Sequence, residues 1–252
     1  MVSVSLDSKT LKKTVDTLLV AVTEAVFDFD PQGVGINVMN PERTVMLEMR
    51  IDKDLFQTYG IEETLDGNQK TKFGVDLLKI RTFTSLLSPD KIVNLAFSDS
   101  VVKMQSGNLK GSAPLISPSS LTPPKIPPLT YERYTIISAN DMLTALKAVE
   151  SVTEVVTIQM TTEAISISGQ GTATEEYMDT NIPMAATKEF TAGATVKSSY
   201  ATSLITGFFK AVSDMKDVKI MVGNDYPLSV KASSTDGHMK ITLIAAPRIT
   251  NV

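Results

Sequence analysis

The chain has 252 residues, of which 42% are hydrophobic and 21% charged, so it is long enough for two cores of ordinary domain size. It contains no cysteine, which excludes a disulfide framework, a thiol nucleophile and a thiolate metal site. The net charge of −4 argues against a surface that is basic throughout, and the absence of a signal-peptide pattern or an apolar run of membrane-spanning length predicts a soluble protein of the cytoplasm, or of the nucleus if the source cell has one.

The sequence of the first half predicts two helices among about eight strands. Leu11, Val15 and Leu18 repeat at spacings of four and three, which is typical of one buried helix stripe. Asp7 or Ser8 is expected to cap this helix, which runs to about Val22. A polar loop is expected at Ile61–Lys70 and a second helix near Val75–Leu87. The other expected strands are Val2–Leu6, Ala25–Phe29, Gly33–Met39, Thr44–Ile51, a short one before the second helix, Lys91–Phe97, Val101–Gln105 and Asn108–Leu115.

A proline-rich segment separates the two halves. Six prolines occur within fifteen residues: Pro114, Pro118, Pro123, Pro124, Pro127 and Pro128. Each removes a backbone donor and fixes φ, so this segment cannot form a helix or a central strand. It is predicted to be an extended connector between domains.

The second half repeats the order of the first. Asn140 is expected to cap a helix to about Ser151, and a second helix is expected at Lys197–Val212. Asp236-Gly237 predicts a hairpin turn. The expected strands are Tyr134–Ser138, Val155–Met160, Ala164–Ser168, Glu176–Ile182, Glu189–Val196, Val218–Val222, Leu228–Ala232 and Met239–Ala245.

The two halves keep nearly constant register when they are aligned. Placing Val4 over Ile136 gives an offset of 132, and Val34 over Ile165 gives 131. The sequence therefore predicts a duplicated α+β unit in which both helices of each copy lie on one face of an antiparallel sheet. The expected domains are residues 1–116 and 134–252, with the connector at 117–133. Two unrelated α+β domains are the alternative.

Residue patterns typical of enzymes are scarce. His238 is the only histidine, so neither a catalytic triad nor a multi-histidine metal site can be assembled around it. Asp28 and Asp30 share a strand face and could hold a cation, but a strand end running into a turn explains them better. No glycine-rich phosphate loop occurs. We therefore predict a protein that is not an enzyme and needs no cofactor or metal.

Charge is distributed unevenly along the chain. The four predicted helices, residues 8–22, 74–87, 139–151 and 197–212, contain eight basic and four acidic residues, a net charge of +4, so the remainder carries −8. If all four helices line one surface, their positive charge would attract a polyanion to it. Alternatively, the lysines only solvate the polar side of amphipathic helices. No aromatic residues alternate with the basic ones, so any contact with DNA should be made through phosphates and should be independent of base sequence. The candidate DNA-binding residues are Lys9, Lys12, Lys13, Lys79, Arg81, Lys147, Lys197 and Lys210.

Three motifs and the connector resemble the proliferating cell nuclear antigen family of DNA polymerase sliding clamps. The motifs are Thr10-Leu-Lys-Lys-Thr-Val, the segment from Phe29 to Asn40, and Ala245-Ala-Pro-Arg-Ile near the C-terminus. The resemblance implies a ring of three chains whose helices line a hole that encircles duplex DNA. It also implies that the strand edge near Leu109–Leu115 of one chain pairs with the edge near Glu176–Ile182 of the next. Such head-to-tail contacts form a closed ring when the rotation between neighbouring chains is a whole fraction of a full turn.

The resemblance further implies a site for partner peptides beneath the connector. Polymerases, ligases, nucleases and a clamp-loader ATPase would insert short motifs with apolar anchors there. Ile244 stands where the family often has an aromatic residue, and the chain end lacks an acidic extension, so partner preference stays open, as does the choice between three identical and three related chains. The rival interpretations are a hydrolase or transferase with a cleft under the connector, and a clamp relative in checkpoint signalling. The implied lining residues are Met39, Thr44, Ile126, Pro127, Pro227, Ile244, Ala246 and Pro247.

Overall fold

A computed structural model describes residues 1–61, 71–121, 125, 128–172 and 176–248 of the chain. These residues form two compact units. Unit 1 comprises residues 1–40, 47–125 and 236–240, and unit 2 comprises residues 41–46, 126–235 and 241–252. The division into domains at 116 and 134 stays a prediction.

Four helices and eighteen strands make up the described part of the chain. The helices are α1 (Ser8–Leu18), α2 (Leu77–Thr84), α3 (Ala139–Glu150) and α4 (Thr202–Ala211). The strands of the first half are β1 (Val2–Asp7), β2 (Glu24–Asp30), β3 (Gly33–Met39), β4 (Val45–Asp52), β5 (Thr58–Ile61), β6 (Lys72–Asp76), β7 (Ile92–Phe97), β8 (Val101–Ser106) and β9 (Leu109–Pro114). Those of the second half are β10 (Arg133–Ser138), β11 (Val155–Met160), β12 (Ala164–Gln170), β13 (Tyr177–Pro183), β14 (Glu189–Phe190), β15 (Val196–Ala201), β16 (Asp217–Val222), β17 (Leu228–Ser233) and β18 (Met239–Ala245).

The order of these elements confirms the duplication. Strand β1 begins at residue 2 and β10 at residue 133, and β2 begins at 24 and β11 at 155, so both offsets are 131. Helices α2 and α4 begin at 77 and 202, an offset of 125. Each half also contains a smaller repeat that the sequence did not reveal. The order strand, helix, strand, strand, strand occurs four times among the described residues, beginning at β1, β6, β10 and β15.

Unit 1 contains strands of two sheets and two helices. One sheet has the strand order β5-β1-β7-β8-β9, and strands β4-β3-β2-β6 lie next to one another in a longer sheet. Leu11 and Val15 of α1 and Ile80 of α2 are fully buried. Helix α2 lies close to the edge strand β9. A Cβ atom at Gly111 of β9 would lie only 3.0 Å from the ring of Phe83 of α2. Glycine therefore allows the helix to approach the sheet.

Unit 2 repeats this arrangement strand for strand. Strands β14-β10-β16-β17-β18 lie next to one another in a longer sheet, and β13-β12-β11-β15 form a sheet of four strands. Helix α3 contacts strands of both sheets and packs beside α4. The end of α3 lies over Gly169, where a Cβ atom would come within 2.6 Å of Val149 and 2.3 Å of Thr153. A larger residue at Gly169 would push this helix away from the sheet.

The structure corrects the predicted secondary structure around Lys197. The predicted strand at 189–196 is two strands, β14 and β15, and the helix begins at Thr202 rather than Lys197. Val196, Ser198 and Tyr200 are buried while Lys197 is exposed, which is the two-residue period of a strand pairing with β11. The helical pattern therefore starts five residues later than predicted.

Smaller corrections concern a cap, a loop and the connector. Ser138, not Asn140, caps α3, since its Oγ accepts the Asp141 N–H at 3.3 Å. Ile61, expected to begin a loop, ends β5, and residues 62–70 lie outside the described residues. In the connector the described residues include one 3₁₀ turn at Pro118–Ser120. No helix in the described ranges combines the length and apolarity needed to cross a membrane.

Candidate functional site

The helices of unit 1 carry five of the eight candidate basic residues. Lys9 and Lys12 are exposed on α1 and Lys79 on α2, while Lys13 is half-buried. The apolar residues of the same helices face the core, so the amphipathic pattern is what turns the lysines outward. Asp7 caps α1 by accepting the Thr10 N–H at 2.7 Å, which fixes where the basic helix begins.

Arg81 differs from the neighbouring lysines because it is paired. Its Nε lies 3.3 Å from Oδ1 of Asp16, so an ion pair links α2 to α1. Part of its positive charge is thereby offset within the protein. We expect Arg81 to position the two helices side by side more than to contact an anion.

Unit 2 contributes fewer basic residues to its helices. Lys147 is exposed on α3 and Lys210 on α4. Lys197 is exposed but lies on β15, where its backbone N–H donates to Asn224 Oδ1 at 2.9 Å and its carbonyl accepts from Asp225 N at 3.1 Å. Its predicted place on a helix is therefore wrong, because the segment alternates as a strand.

The observed helices still carry a net positive charge. They contain seven basic residues and three acidic ones, Asp16, Asp141 and Glu150, which gives +4 and leaves −8 for the rest of the chain. Five of the seven basic residues belong to unit 1. The correction at Lys197 leaves the balance unchanged, since Asp76 also lies outside the observed helices.

Several residues of the implied partner site come together in unit 2. The Ala246 N–H donates to the Thr44 carbonyl at 2.7 Å, although about two hundred residues separate them in the sequence. The next residue but one, Arg248, donates its N–H to the Ser199 carbonyl at 2.6 Å. These two bonds hold the segment that contains Pro247 against unit 2. Ile244, Ala246 and Pro247 are all half-exposed, so their apolar atoms are available to a ligand.

Pro227 is positioned by a group of tyrosines that the sequence analysis missed. The carbonyl of Tyr226 accepts hydrogen bonds from Tyr200 Oη at 2.9 Å and Ser198 Oγ at 3.4 Å. The Tyr226 ring packs edge to face on Tyr131, with ring centres 5.4 Å apart. Burial raises the pKa of Tyr200 to about 12, so this phenol remains a donor at neutral pH. The signal available in the sequence was a tyrosine at the end of the connector and another before Pro227.

The remaining residues of the implied partner site are less well defined. Met39 lies at the end of β3 in unit 1 and is half-exposed. Ile126 and Pro127 lie outside the described residues.

The acidic pair Asp28 and Asp30 is occupied by basic side chains. Arg50 donates to both carboxylate oxygens of Asp30, at 2.7 and 2.6 Å, and this bonding lowers the pKa of that carboxyl group. Lys72 lies 3.0 Å from Asp28. Both carboxylates therefore form ion pairs with basic side chains of the same sheet rather than a cation site.

One group of side chains in the described residues has the ligand types of a metal site. Single donor atoms of Asp52, Asp54 and His238 lie within 4.8 Å of one another. One Asp52 carboxylate oxygen already accepts the Asp54 N–H at 3.1 Å, and His238 is held by its own N–H bond to Asp236 at 3.0 Å. Exposed acidic groups often cluster in this way without a cation, so the geometry alone assigns no metal.

Comparison with known proteins agrees with the fold and with the sequence motifs. The family model of the proliferating cell nuclear antigen N-terminal domain matches residues 1–113. The DNA polymerase sliding clamp of Thermoplasma volcanium is 26% identical over 252 residues, covering 99% of each chain, and that of Archaeoglobus fulgidus is 25% identical over 251 residues with the same coverage. In a solved structure of A. fulgidus PCNA bound to the C-terminal region of FEN-1, the matching chain is 24% identical, with a TM-score of 0.90 and full coverage of both chains. PCNA from Thermococcus kodakaraensis is 20% identical, with a TM-score of 0.86 over 98% of this chain and 100% of that one. The first 113 residues thus match the family model of the proliferating cell nuclear antigen N-terminal domain, and the whole chain is similar in sequence to DNA polymerase sliding clamps and in fold to PCNA.

Proposed function

We propose that this chain is one of three subunits of a ring that encircles duplex DNA and tethers replication and repair enzymes to it. The observation that carries the proposal is the charge separation: the helices hold +4 while the rest of the chain holds −8. A ring with its helices around the hole attracts phosphates inside and repels DNA outside. Its place of action is the cytoplasm, or the nucleus if the source cell has one.

The ring would act mechanically and without a catalytic step of its own. Lysines contact phosphates, which repeat at every nucleotide, so no base sequence holds the ring in place. Each contact is weak and exchanges with the next phosphate, which permits sliding. An enzyme bound to the ring stays near the DNA at a high effective concentration. Neither cofactor nor metal is needed for this role, and a separate ATPase would open the ring for loading.

Ring closure is supported by the two edge strands β9 and β13. By the repeat of the fold they are the equivalents of β18 and β4. In unit 2 the residue after β18 already bonds to the residue before β4, through Ala246 N and Thr44 O. The same kind of pairing between β9 of one chain and β13 of the next would join three chains head to tail and cover both edges. The partner chains would be identical copies or related subunits.

The partner site is supported by the half-exposed apolar residues of the terminal segment. Ile244, Ala246 and Pro247 lie where a short peptide with an apolar anchor could bind. The related A. fulgidus PCNA is bound by the C-terminal region of FEN-1. By analogy we propose that a nuclease, a polymerase, a ligase and the loader bind this chain through short peptides.

A substitution in the terminal segment tests the partner site. Pro247→Glu is expected to weaken binding of a peptide from the C-terminal region of a FEN-1 nuclease about 30-fold, because a carboxylate would be buried in an apolar contact. The affinity is measured by titration calorimetry. Thr235→Glu, which adds the same charge at an exposed hairpin residue of unit 2, is the matched control. Equal affinity of the Pro247→Glu protein and the control would contradict the proposed site.

Topological linkage is the decisive test of the function. After loading onto circular DNA, the protein is expected to remain bound through gel filtration at high salt, because a closed ring cannot leave without opening. Cutting the circle with a restriction enzyme is expected to release it within minutes. Equal retention on circular and linear DNA, or catalytic turnover by the chain itself, would contradict the proposal.

A further inference from the structure

Three residues with metal-binding side chains meet at the end of β4 in unit 1. Single donor atoms of Asp52, Asp54 and His238 lie within 4.8 Å of one another. A Zn²⁺ ion lies about 2.0–2.2 Å from its nitrogen and oxygen ligands, so two of its ligand atoms are at most about 4.4 Å apart. Small rotations of the three side chains therefore suffice to close them around one ion.

The imidazole ring distinguishes this group from an exposed cluster of acidic residues. His238 is half-buried, and its ring forms neither a hydrogen bond nor an ion pair within the described part of the chain. Neutral imidazole with a free lone pair is the commonest metal ligand in proteins. Together with two carboxylates it suits a divalent transition metal such as Zn²⁺ or Co²⁺, whereas Mg²⁺ and Ca²⁺ prefer oxygen ligands alone.

The charges of the two carboxylates are not compensated by a basic side chain. Neither Asp52 nor Asp54 forms an ion pair within the described residues. Arg50, two residues before Asp52 on β4, instead donates to both carboxylate oxygens of Asp30. Two carboxylates held close together repel each other, and a divalent cation between them removes that repulsion.

Backbone hydrogen bonds already hold the three residues together, although His238 is far from the two aspartates in the sequence. Asp52 N donates to His238 O at 2.7 Å, which places the end of β4 beside the residue before β18. Asp52 Oδ1 accepts the Asp54 N–H at 3.1 Å and caps a 3₁₀ turn at Lys53–Leu55. Binding an ion therefore orders only side chains, so little backbone entropy is lost.

An open cavity of about 550 Å³ adjoins Asp54. A metal ion with three protein ligands keeps a further coordination position for water or another ligand. The cavity provides room for such a ligand beside Asp54. Its other lining residues are Pro31, Lys53, Phe56, Tyr59 and Ile61.

We propose that Asp52, Asp54 and His238 bind one divalent transition-metal ion per chain, and that zinc fits the three ligands best. The ion joins the turn after β4 to the residue before β18 and so stabilises unit 1. The sequence analysis excluded a site with several histidines, whereas this group needs only one. The site is separate from the proposed clamp function, since none of its residues is a candidate for binding DNA or a partner peptide.

The ring signals of His238 test the proposal directly, because the chain has no other histidine. In protein without an affinity tag, one equivalent of Zn²⁺ is expected to shift the ¹⁵N resonances of this ring, with no further shift at two equivalents. Co²⁺ in its place is expected to give visible absorption that saturates at one ion per chain. Mg²⁺ at the same concentration is expected to leave the ring signals unchanged.

Removal of single ligands tests which groups hold the ion. His238→Ala and Asp54→Asn are each expected to weaken Zn²⁺ binding at least about 100-fold in titration calorimetry, because loss of even an outer partner of a ligand costs about 10–100-fold. Glu48→Gln removes an exposed carboxylate from the same strand and is the matched control. Zn²⁺ is also expected to raise the unfolding temperature of the unaltered chain and of the control, but not that of the His238→Ala protein.

Two results would overturn the proposal. One is a His238 ring whose signals do not respond to an equivalent of Zn²⁺, which would show that the imidazole is not a ligand. The other is a His238→Ala protein that binds Zn²⁺ as tightly as the Glu48→Gln control does. Either result would leave the clamp function standing, because these measurements involve neither DNA nor a partner peptide.

Discussion

Replacing both Lys12 and Lys79 with alanine is expected to weaken DNA binding sharply while leaving the proposed ring of three chains intact. Both side chains are exposed on the helices of unit 1, and neither forms an ion pair within the described residues. A ring of three copies would lose six lysines. Each lost phosphate contact lowers the slope of log affinity against log salt by about 0.9, so the slope should fall by up to about 5.

The measurement is binding to a duplex with blocked ends over a series of salt concentrations. Lys231→Ala with Lys240→Ala is the matched control, because it removes the same charge from exposed sheet residues. Arg81→Ala should have a smaller effect on the slope, since its guanidinium group is paired with Asp16. If the control lowered the slope as much as the helix variant, the helices would not be the DNA-facing surface. Loss of the trimer in the helix variant would show that these lysines support assembly instead.

Replacing Arg133 with methionine is expected to lower the free energy of unfolding by about 3–5 kcal/mol. Arg133 is 1% exposed on β10, and its surroundings supply carbonyl groups rather than a carboxylate. Nη1 donates to Gly193 O and Ala194 O, both at 2.6 Å, and Nη2 donates to Thr161 O at 2.7 Å. Burial lowers the pKa of Arg133, although a guanidinium group remains charged at neutral pH. Methionine fills a similar volume but offers no donor to these three carbonyls.

The geometry near Gly193 sharpens this expectation. Gly193 has φ +156°, and a Cβ atom there would lie 3.1 Å from Arg133 Cδ, so the loop and the side chain are fitted to each other. Urea unfolding followed by circular dichroism measures the change. Arg133→Lys should recover only part of the loss, because one ammonium group cannot reach three carbonyls in this planar arrangement. A methionine variant within about 1 kcal/mol of the unaltered protein would show that the carbonyls find other donors.

Element order was predictable where the hydrophobic period was unambiguous. Strands β3, β11 and β18 have the predicted bounds, because their inward residues alternate with polar ones between clear turns. The segment that begins at Val196 was harder to interpret, since its six-residue strand runs directly into a helix. A strand of two or three inward side chains resembles one face of a helix until its pairing partner is known, and here the partner is β11.

The candidate sites were predictable to different degrees. The basic helices could be found from charge alone, because amphipathic periodicity places their lysines on the solvent side. The state of each lysine could not, since the pairing of Arg81 with Asp16 depends on how α1 and α2 pack. The bond between Ala246 and Thr44, and the tyrosines that position Pro227, join segments far apart in the sequence. No local pattern encodes such contacts.

Local chemistry in the chain is enough to establish the duplication, the α+β class, the proline connector and the positive charge of the helices. These follow from residue periods, backbone restrictions and formal charges, which are properties of short segments. The order in which the strands pair in the sheets, the edge positions of β9 and β13, and the hydrogen bonds from Arg133 to three carbonyls arise only when distant segments pack together. They depend on which surfaces meet, and that is a property of the folded chain as a whole.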